Sequence, residues 1–130
     1  MAMSEQDIFE KVQEVLEDAL GVDADEVTPQ AKLEADLGAE SIDYLDIVFR
    51  LEKAFPSIKI EQGELFPESV LSDPQYVADG KITDAGMTEL AKRLPHADLS
   101  ELDTSRDVES FSNVFTVDLL VKFVMDKVNA

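Results

Sequence analysis

The sequence contains no cysteine, no tryptophan and only one histidine, His96. The lack of cysteine excludes a disulfide framework, a thiolate metal site and a thiol nucleophile. A single histidine leaves little material for a Ser-His-Asp triad or a metal cluster. His96 follows Pro95, and we expect it to be a surface loop residue. The sequence therefore does not predict an enzyme.

Basic residues are also scarce. Eleven lysines and arginines stand against 29 aspartates and glutamates, which gives a formal net charge of -18 and a pI near 4.1. Such a chain repels nucleic acid phosphates and anionic lipid head groups, and it attracts basic protein surfaces. The acidity could also serve solubility alone. We therefore expect no nucleic acid partner.

Long apolar runs are absent as well. No segment predicts a membrane span, and the N-terminal "MAMSEQD" lacks the basic and apolar regions of a signal peptide. We expect a cytoplasmic protein that is not embedded in a membrane. Its 130 residues suffice for one domain with a modest core. Because no repeat or linker divides the chain, we predict a single domain over residues 1–130.

Apolar residues at helical spacing predict three long helices. The first is capped by Ser4 and stops at Gly21. The second runs from about Ser41 to Phe55, because a residue that precedes proline disfavours helical geometry. The last follows Thr116 as N-cap and reaches Val128. A chain built mainly on these three segments belongs to the all-α class.

The loop between the first two helices holds isolated apolar residues that could pin it to a core: Val22, Val27, Leu33 and Leu37. Three acids in this loop, Asp23, Asp25 and Glu26, could hold a calcium ion. They lack the spacing of an EF-hand loop, so we expect a solvated turn.

The segment between Pro56 and Val114 is less regular. The Asp-Gly pair in "YVADGKI" is a turn signal for a small hairpin. We predict a helix from Thr83 to Leu94, ended by Pro95, and a long loop with one short turn over residues 96–113. The last helix is apolar over much of its circumference and needs cover on more than one side. We expect the Thr83–Leu94 helix to supply that cover.

The second helix has two apolar stripes when its residues are placed at 100° per step. The core face comprises Tyr44, Ile47, Val48, Leu51, Ala54 and Phe55. The second stripe comprises Ile42, Leu45 and Phe49, with Asp43 and Asp46 along one side and Glu52 along the other. Since a single core needs only one stripe, the second is either covered by the 56–114 segment or exposed for docking of a basic, partly apolar partner.

Ser41 lies between a turn at Gly38 and the start of this helix. A serine at a helix start is commonly an N-cap. It could instead be a point of attachment, because a phosphodiester on its hydroxyl would lie at the positive end of the helix dipole.

The stretch "ADLGAESIDYLDIVFRLEKAF", Ala35 to Phe55, resembles the acyl carrier proteins, whose usual motif is D-L-G-x-D-S-L-D followed by an apolar and acidic helix. The likeness extends to the first helix, to "DEVTPQAKLEADLG" and to "FTVDLLVKFVMDKV". It implies that Ser41 receives 4'-phosphopantetheine from CoA through a phosphopantetheinyl transferase. It further implies an acyl-carrier-like helical bundle with a cavity that can shelter an acyl chain.

The resemblance also implies a docking face for acyl-processing enzymes with basic patches: synthases, dehydratases, reductases and acyltransferases. The family's partner-binding positions map onto Glu40, Ile42, Leu45, Asp46, Phe49 and Glu52. Glu40 stands where aspartate is usual, and Ile42 where leucine is usual. Arg50 and Lys53 make the helix less uniformly acidic than in many relatives, so partner choice could differ.

The stretch between Phe55 and Thr116 is much longer than in ordinary carriers, which implies an insertion at about 62–113 made of short helical elements and long loops. "YLDIVFRLEKAFPSIKI" is similar to carriers specialised for unusual or very long acyl chains, such as those serving lipid A. We therefore expect an acyl carrier protein of fatty acid or specialised lipid biosynthesis. The alternatives are a stand-alone peptidyl carrier with aminoacyl cargo and an unmodified regulatory module that binds carrier-using enzymes.

Overall fold

The computed structural model describes residues 4–61, 64–65 and 68–129, with the backbone alone at positions 41, 68 and 69. Six α-helices, two short strands and two 3-10 segments follow one another in the described residues. In chain order, the elements are α1 (Glu5–Leu20), a 3-10 segment (Ala24–Glu26), α2 (Ser41–Ala54), α3 (Glu68–Ser72), β1 (Val77–Ala78), β2 (Lys81–Ile82), α4 (Asp84–Arg93), α5 (Ser100–Ser105), a second 3-10 segment (Val108–Val114) and α6 (Val117–Val128).

The three long helices form the centre of the fold, with α1 packed against both α2 and α6. The Ser4 hydroxyl accepts a hydrogen bond from the Asp7 N–H at 3.1 Å, and Gly21 adopts the left-handed conformation that closes α1. The Thr116 hydroxyl caps α6 in the same way, at 3.2 Å from the Leu119 nitrogen. The predicted all-α class and the bounds of these helices are confirmed.

The small hairpin is also present. Val77 pairs with Ile82 and Ala78 with Lys81, and the turn between them places both Asp79 (φ 54°) and Gly80 (φ 74°) in the left-handed region. An Asp-Gly pair adopts this geometry readily, and its backbone twist matches that of the two strands. The chain returns to this hairpin at Val108, whose N–H donates to the Gly80 carbonyl at 3.1 Å.

The prediction of a long loop over residues 96–113 is wrong. The structure has α5 at Ser100–Ser105 and the second 3-10 segment at Val108–Val114. Each is held by buried apolar side chains, Leu102 in α5 and both Phe111 and Val114 in the 3-10 segment. Such short elements gain their stability from tertiary packing and carry little periodic signal of their own.

Helix α4 packs chiefly against α3 and β2. Its buried side chains Met87, Leu90 and Leu94 belong to the same apolar cluster as the core residues of α1, α2 and α6. The flank of α6 at Leu119 faces the 96–101 segment, which follows α4, across a cavity of about 250 Å³. The inserted residues therefore share the apolar core.

Gly86 allows this close approach of α4 to the hairpin. A Cβ atom at this position would collide with the Tyr76 carbonyl oxygen and lie 2.8 Å from Cγ2 of Ile82. We expect Gly86→Ala to lower the free energy of unfolding by about 1–3 kcal/mol, although alanine has the higher helix propensity. Urea denaturation of the two proteins measures this difference.

The matched control is Thr88→Ala, which changes an exposed position of the same helix. We expect it to alter the free energy of unfolding by no more than about 0.5 kcal/mol. Stabilisation by Gly86→Ala would show that α4 does not lie this close to the hairpin.

Candidate functional site

The loop that leads to Ser41 is fixed to the start of α6. The Leu33 N–H donates to the Phe115 carbonyl at 3.0 Å, and the Val117 N–H donates to the Ala31 carbonyl at 3.0 Å. Leu33 is fully buried and Leu37 is nearly so, as predicted for residues that pin the loop. The backbone entering the candidate site is therefore held by the core.

A tight turn completes this approach. The Asp36 carboxylate accepts from the Lys32 N–H at 2.8 Å, and the Ala39 N–H donates to the Leu33 carbonyl at 2.8 Å. Gly38 has a φ of 73°, a conformation that residues with a Cβ rarely adopt. The glycine of the motif thus serves the turn that directs the chain into α2.

Ser41 is the first residue of α2, and Glu40 is its N-cap. The Asp43 carboxylate accepts from the Glu40 N–H at 2.8 Å, and the Asp43 N–H donates to the Glu40 carbonyl at 2.9 Å. The interpretation of Ser41 as the N-cap is therefore wrong, because Glu40 occupies that position. The Ser41 hydroxyl lies outside the described atoms.

This backbone position fits an attached phosphodiester. It lies at the N-terminal end of a 14-residue helix, where free N–H groups and the helix dipole stabilise negative charge. Its two neighbours, Glu40 and Ile42, are exposed. A group bound here would therefore extend into solvent.

The second stripe is exposed. Ile42, Leu45 and Phe49 have 76%, 71% and 59% of their surface accessible, and they are the large exposed hydrophobic residues of the part of the chain that the structure describes. The core face of the same helix buries Ile47 and Leu51 completely. The prediction of two separate stripes is confirmed, and the alternative that the 56–114 segment covers the second one is wrong.

The charged residues beside the second stripe have partners within the protein. Asp46 forms an ion pair with Arg50 at 2.9 Å, and this hydrogen bond raises the pKa of the arginine. One Glu52 oxygen accepts from the Ile60 N–H at 3.0 Å and so holds the chain that leaves α2. At the edge of the second stripe, the negative charge of Asp46 is therefore paired with the positive charge of Arg50. The Glu52 carboxylate holds the backbone that follows α2.

A cavity of about 260 Å³ opens beside α2. The Tyr44 hydroxyl donates to the Glu34 carboxylate at its wall, so residues ten positions apart in sequence meet there. The cavity is lined by Glu34, Tyr44, Leu71, Val108, Glu109, Phe111, Ser112 and Phe115. Five of these eight residues come from the inserted segment, and none lies on α4.

The other candidate groups do not assemble into a site. The acids Asp23, Asp25 and Glu26 lie in and beside the first 3-10 segment, and no cluster of three His, Cys, Asp or Glu side chains suited to a metal occurs in the described residues. His96 is exposed, as predicted. Across residues 4–61, 64–65 and 68–129, none of the helices has the length and apolarity needed to cross a bilayer.

These features define a helical scaffold that presents one anchored helix start and an exposed apolar stripe beside it. A family model described as "Phosphopantetheine attachment site" matches residues 10–73, a range that includes Ser41. The matched range runs from α1 through α2 and ends just past α3.

Three curated relatives are each named acyl carrier protein. The relative from Thermotoga maritima is 40% identical over 70 residues, which are 54% of this chain and 85% of the relative. Those from Guillardia theta and Rubrobacter xylanophilus are 49% and 45% identical over 53 residues, 41% of this chain and 65% of each relative. The match thus spans a little under two thirds of these last two relatives.

The chain belongs to the acyl carrier protein family. Its prosthetic group is 4'-phosphopantetheine, in agreement with the family model, and the names of the relatives describe carriers rather than enzymes. When bound, this group supplies a terminal thiol for thioester formation. The part of the chain outside the range matched by the family model includes α4, α5 and the second 3-10 segment.

The family resemblance implies a cavity within the bundle, but the sequence does not predict which residues line the cavity beside α2. Tyr44 lies on the predicted core face, and nothing in the sequence brings Leu71 and Phe111 to it. The one available signal was the spacing of Phe111 and Phe115, four residues apart, which sets two aromatic rings beside one another.

Proposed function

We propose that this protein carries acyl groups as thioesters on a 4'-phosphopantetheine arm attached to Ser41, in fatty acid or specialised lipid biosynthesis in the cytoplasm. The exposed second stripe, which begins at the residue after Ser41, is the observation that supports this most directly. Exposed apolar residues in such a group mark an interaction surface. A partner that covers Ile42 is brought next to the attachment residue.

The chain itself positions the arm and provides the surface that partners recognise. The turn at Gly38 and the cap formed by Glu40 and Asp43 hold the start of α2 in one orientation. Ser41 supplies the hydroxyl that bonds the arm. The second stripe supplies apolar area to a partner, and the surrounding acids attract a basic surface.

The partners in this proposal are a phosphopantetheinyl transferase and acyl-processing enzymes that carry basic docking patches: synthases, dehydratases, reductases and acyltransferases. The net charge of -18 supports this choice, since it favours association with a positive surface. Glu40, Asp46 and Glu52 are the proposed charged contacts. The aminoacyl-carrying and unmodified regulatory alternatives differ in what is bound to Ser41.

Acyl loading of the arm-bearing protein tests the function. We expect an acyltransferase to add one acyl group per chain, and hydroxylamine to release it, since hydroxylamine cleaves thioesters. Intact-mass spectrometry follows both steps. Failure to load any acyl group, under conditions where another acyl carrier protein loads fully, would contradict the proposal.

Salt should slow the reactions of this protein with its partners. Attraction between exposed charges is screened over about 8–10 Å at physiological ionic strength. We expect kcat/KM of the transferase reaction to fall at least about threefold between low and high salt. Modification rates over a series of NaCl concentrations measure this, and an unchanged rate would remove the charge-based part of the docking proposal.

A further inference from the structure

One flank of α2 carries charges of both signs. When residues are placed at about 100° per step, four charged side chains fall within a sector of roughly 80° beside the second stripe: Asp43, Asp46, Arg50 and Lys53. The two acids lie about 3 and 7.5 Å along the helix axis from Ser41, and the two cations lie about 13.5 and 18 Å along it. This flank is therefore acidic near the attachment residue and basic at the far end of the helix.

The acids of this flank already have partners within the protein. Asp46 pairs with Arg50 at 2.9 Å, and the two side chains keep 46% and 41% of their surface exposed. The Asp43 carboxylate accepts from the Glu40 N–H at 2.8 Å. The hydrogen bond to Asp46 and, more weakly, the charge of Asp18 on α1 raise the pKa of Arg50. A cation offered by a docking enzyme competes with these contacts.

The two cations at the far end can accept a partner's carboxylate. Lys53 is exposed, and no acid pairs with it among the residues that the structure describes. The Arg50 guanidinium bonds Asp46 through Nε, and its remaining N–H groups are further donors. A lysine or arginine placed opposite this end by a partner meets like charge, whereas a carboxylate meets two cations.

We propose that the enzymes that reach Ser41 over the second stripe present a docking surface of mixed charge, with a cation opposite the acidic half of α2 and a carboxylate opposite Arg50 and Lys53. This inference rests on the proposed function and names the partner surface more closely. A patch that is basic throughout sets like charges together at the far end, which is a repulsive element of specificity. The reversal of sign along α2 also fixes the direction in which a partner docks.

The sign of one charge reversal tests this inference. Lys53→Glu is compared with the parent in the reaction of CoA with the native host's phosphopantetheinyl transferase, which acts on the bare serine and needs no cargo. We expect kcat/KM to fall about five- to twentyfold, because a close attraction becomes a repulsion. A partner patch that is basic throughout would instead raise kcat/KM.

Three further variants separate a local contact from net charge. Lys92→Glu makes the same change in net charge at an exposed position of α4 and should alter kcat/KM by less than about twofold, since distant charges are screened. Lys53→Arg keeps the positive charge and should recover most of the rate lost in Lys53→Glu. Arg50→Gln removes the second cation and should lower kcat/KM about two- to fivefold. Urea midpoints of all variants check that they remain folded.

The outcomes distinguish this inference from the proposed function. If the transferase attaches no arm to the parent, the proposed function fails and the inference fails with it. If the arm is attached but Lys53→Glu raises kcat/KM or leaves it unchanged, the inference alone is overturned. A fall that Lys92→Glu shares in full would be an effect of net charge and would overturn it too. A fall confined to Lys53→Glu and Arg50→Gln, with parental urea midpoints, supports it.

Discussion

Replacing Ser41 with alanine is expected to reduce attachment of 4'-phosphopantetheine from one group per chain to none. The unmodified protein is incubated with CoA and a broad-specificity phosphopantetheinyl transferase, and intact mass is measured over time. Ser41 is the residue on which the family motif and the helix start coincide. We expect the loss to be complete because no second hydroxyl occupies an equivalent position in this motif.

Ser57→Ala is the matched control. Ser57 is an exposed serine just beyond the other end of α2, and its loss should leave the modification rate unchanged. Ser41→Ala should also keep the free energy of unfolding within about 0.5 kcal/mol, since Glu40 is the N-cap. A loss of about 1 kcal/mol or more would indicate a capping role for the serine instead.

The second large effect concerns the second stripe. Phe49→Ala and Leu45→Gln are expected to lower kcat/KM of the transferase reaction by about 10- to 100-fold each, because burial of such a side chain contributes about 1.5–3 kcal/mol. Both side chains are more than half exposed in the free protein. Steady-state kinetics with varied protein concentration measures the change.

Thr88→Ala serves as the control for these variants, because it changes an exposed, uncharged residue of α4 outside the second stripe. It should alter kcat/KM little. The stripe variants should also retain the parental urea midpoint, since their side chains contribute little to the core. Parental kinetics in both stripe variants would mean that partners do not contact this face.

The elements with strong periodicity and local caps could be predicted from the sequence. The bounds of α1 and α6 follow from Ser4, Gly21 and Thr116, each of which acts within a few residues of its own position. The separation of Ile42 and Phe49 from the core face could be predicted too, because it follows from helix geometry alone. Their exposure could not, because it depends on where the 56–114 segment lies.

What could not be predicted depends on contacts between distant segments. The 3-10 segment Val108–Val114 is stabilised by burial of Phe111 in the core. The cavity forms only because Leu71 and Tyr44, from other parts of the chain, pack beside this segment. Glu52 gives a further example. Its place on the helix indicated a partner contact, yet its carboxylate also bonds the Ile60 N–H eight residues away, which no periodicity indicates.

The central claim is that Ser41 carries the arm, and peptide mapping of protein purified from its native host tests it most directly. Trypsin cleaves after Lys32 and Arg50, which gives a peptide of residues 33–50 whose only serine is Ser41. We predict that this peptide bears the mass of one phosphopantetheine, with fragment ions that place it on Ser41. An unmodified 33–50 peptide in every preparation, or the added mass on another peptide, would contradict the assignment.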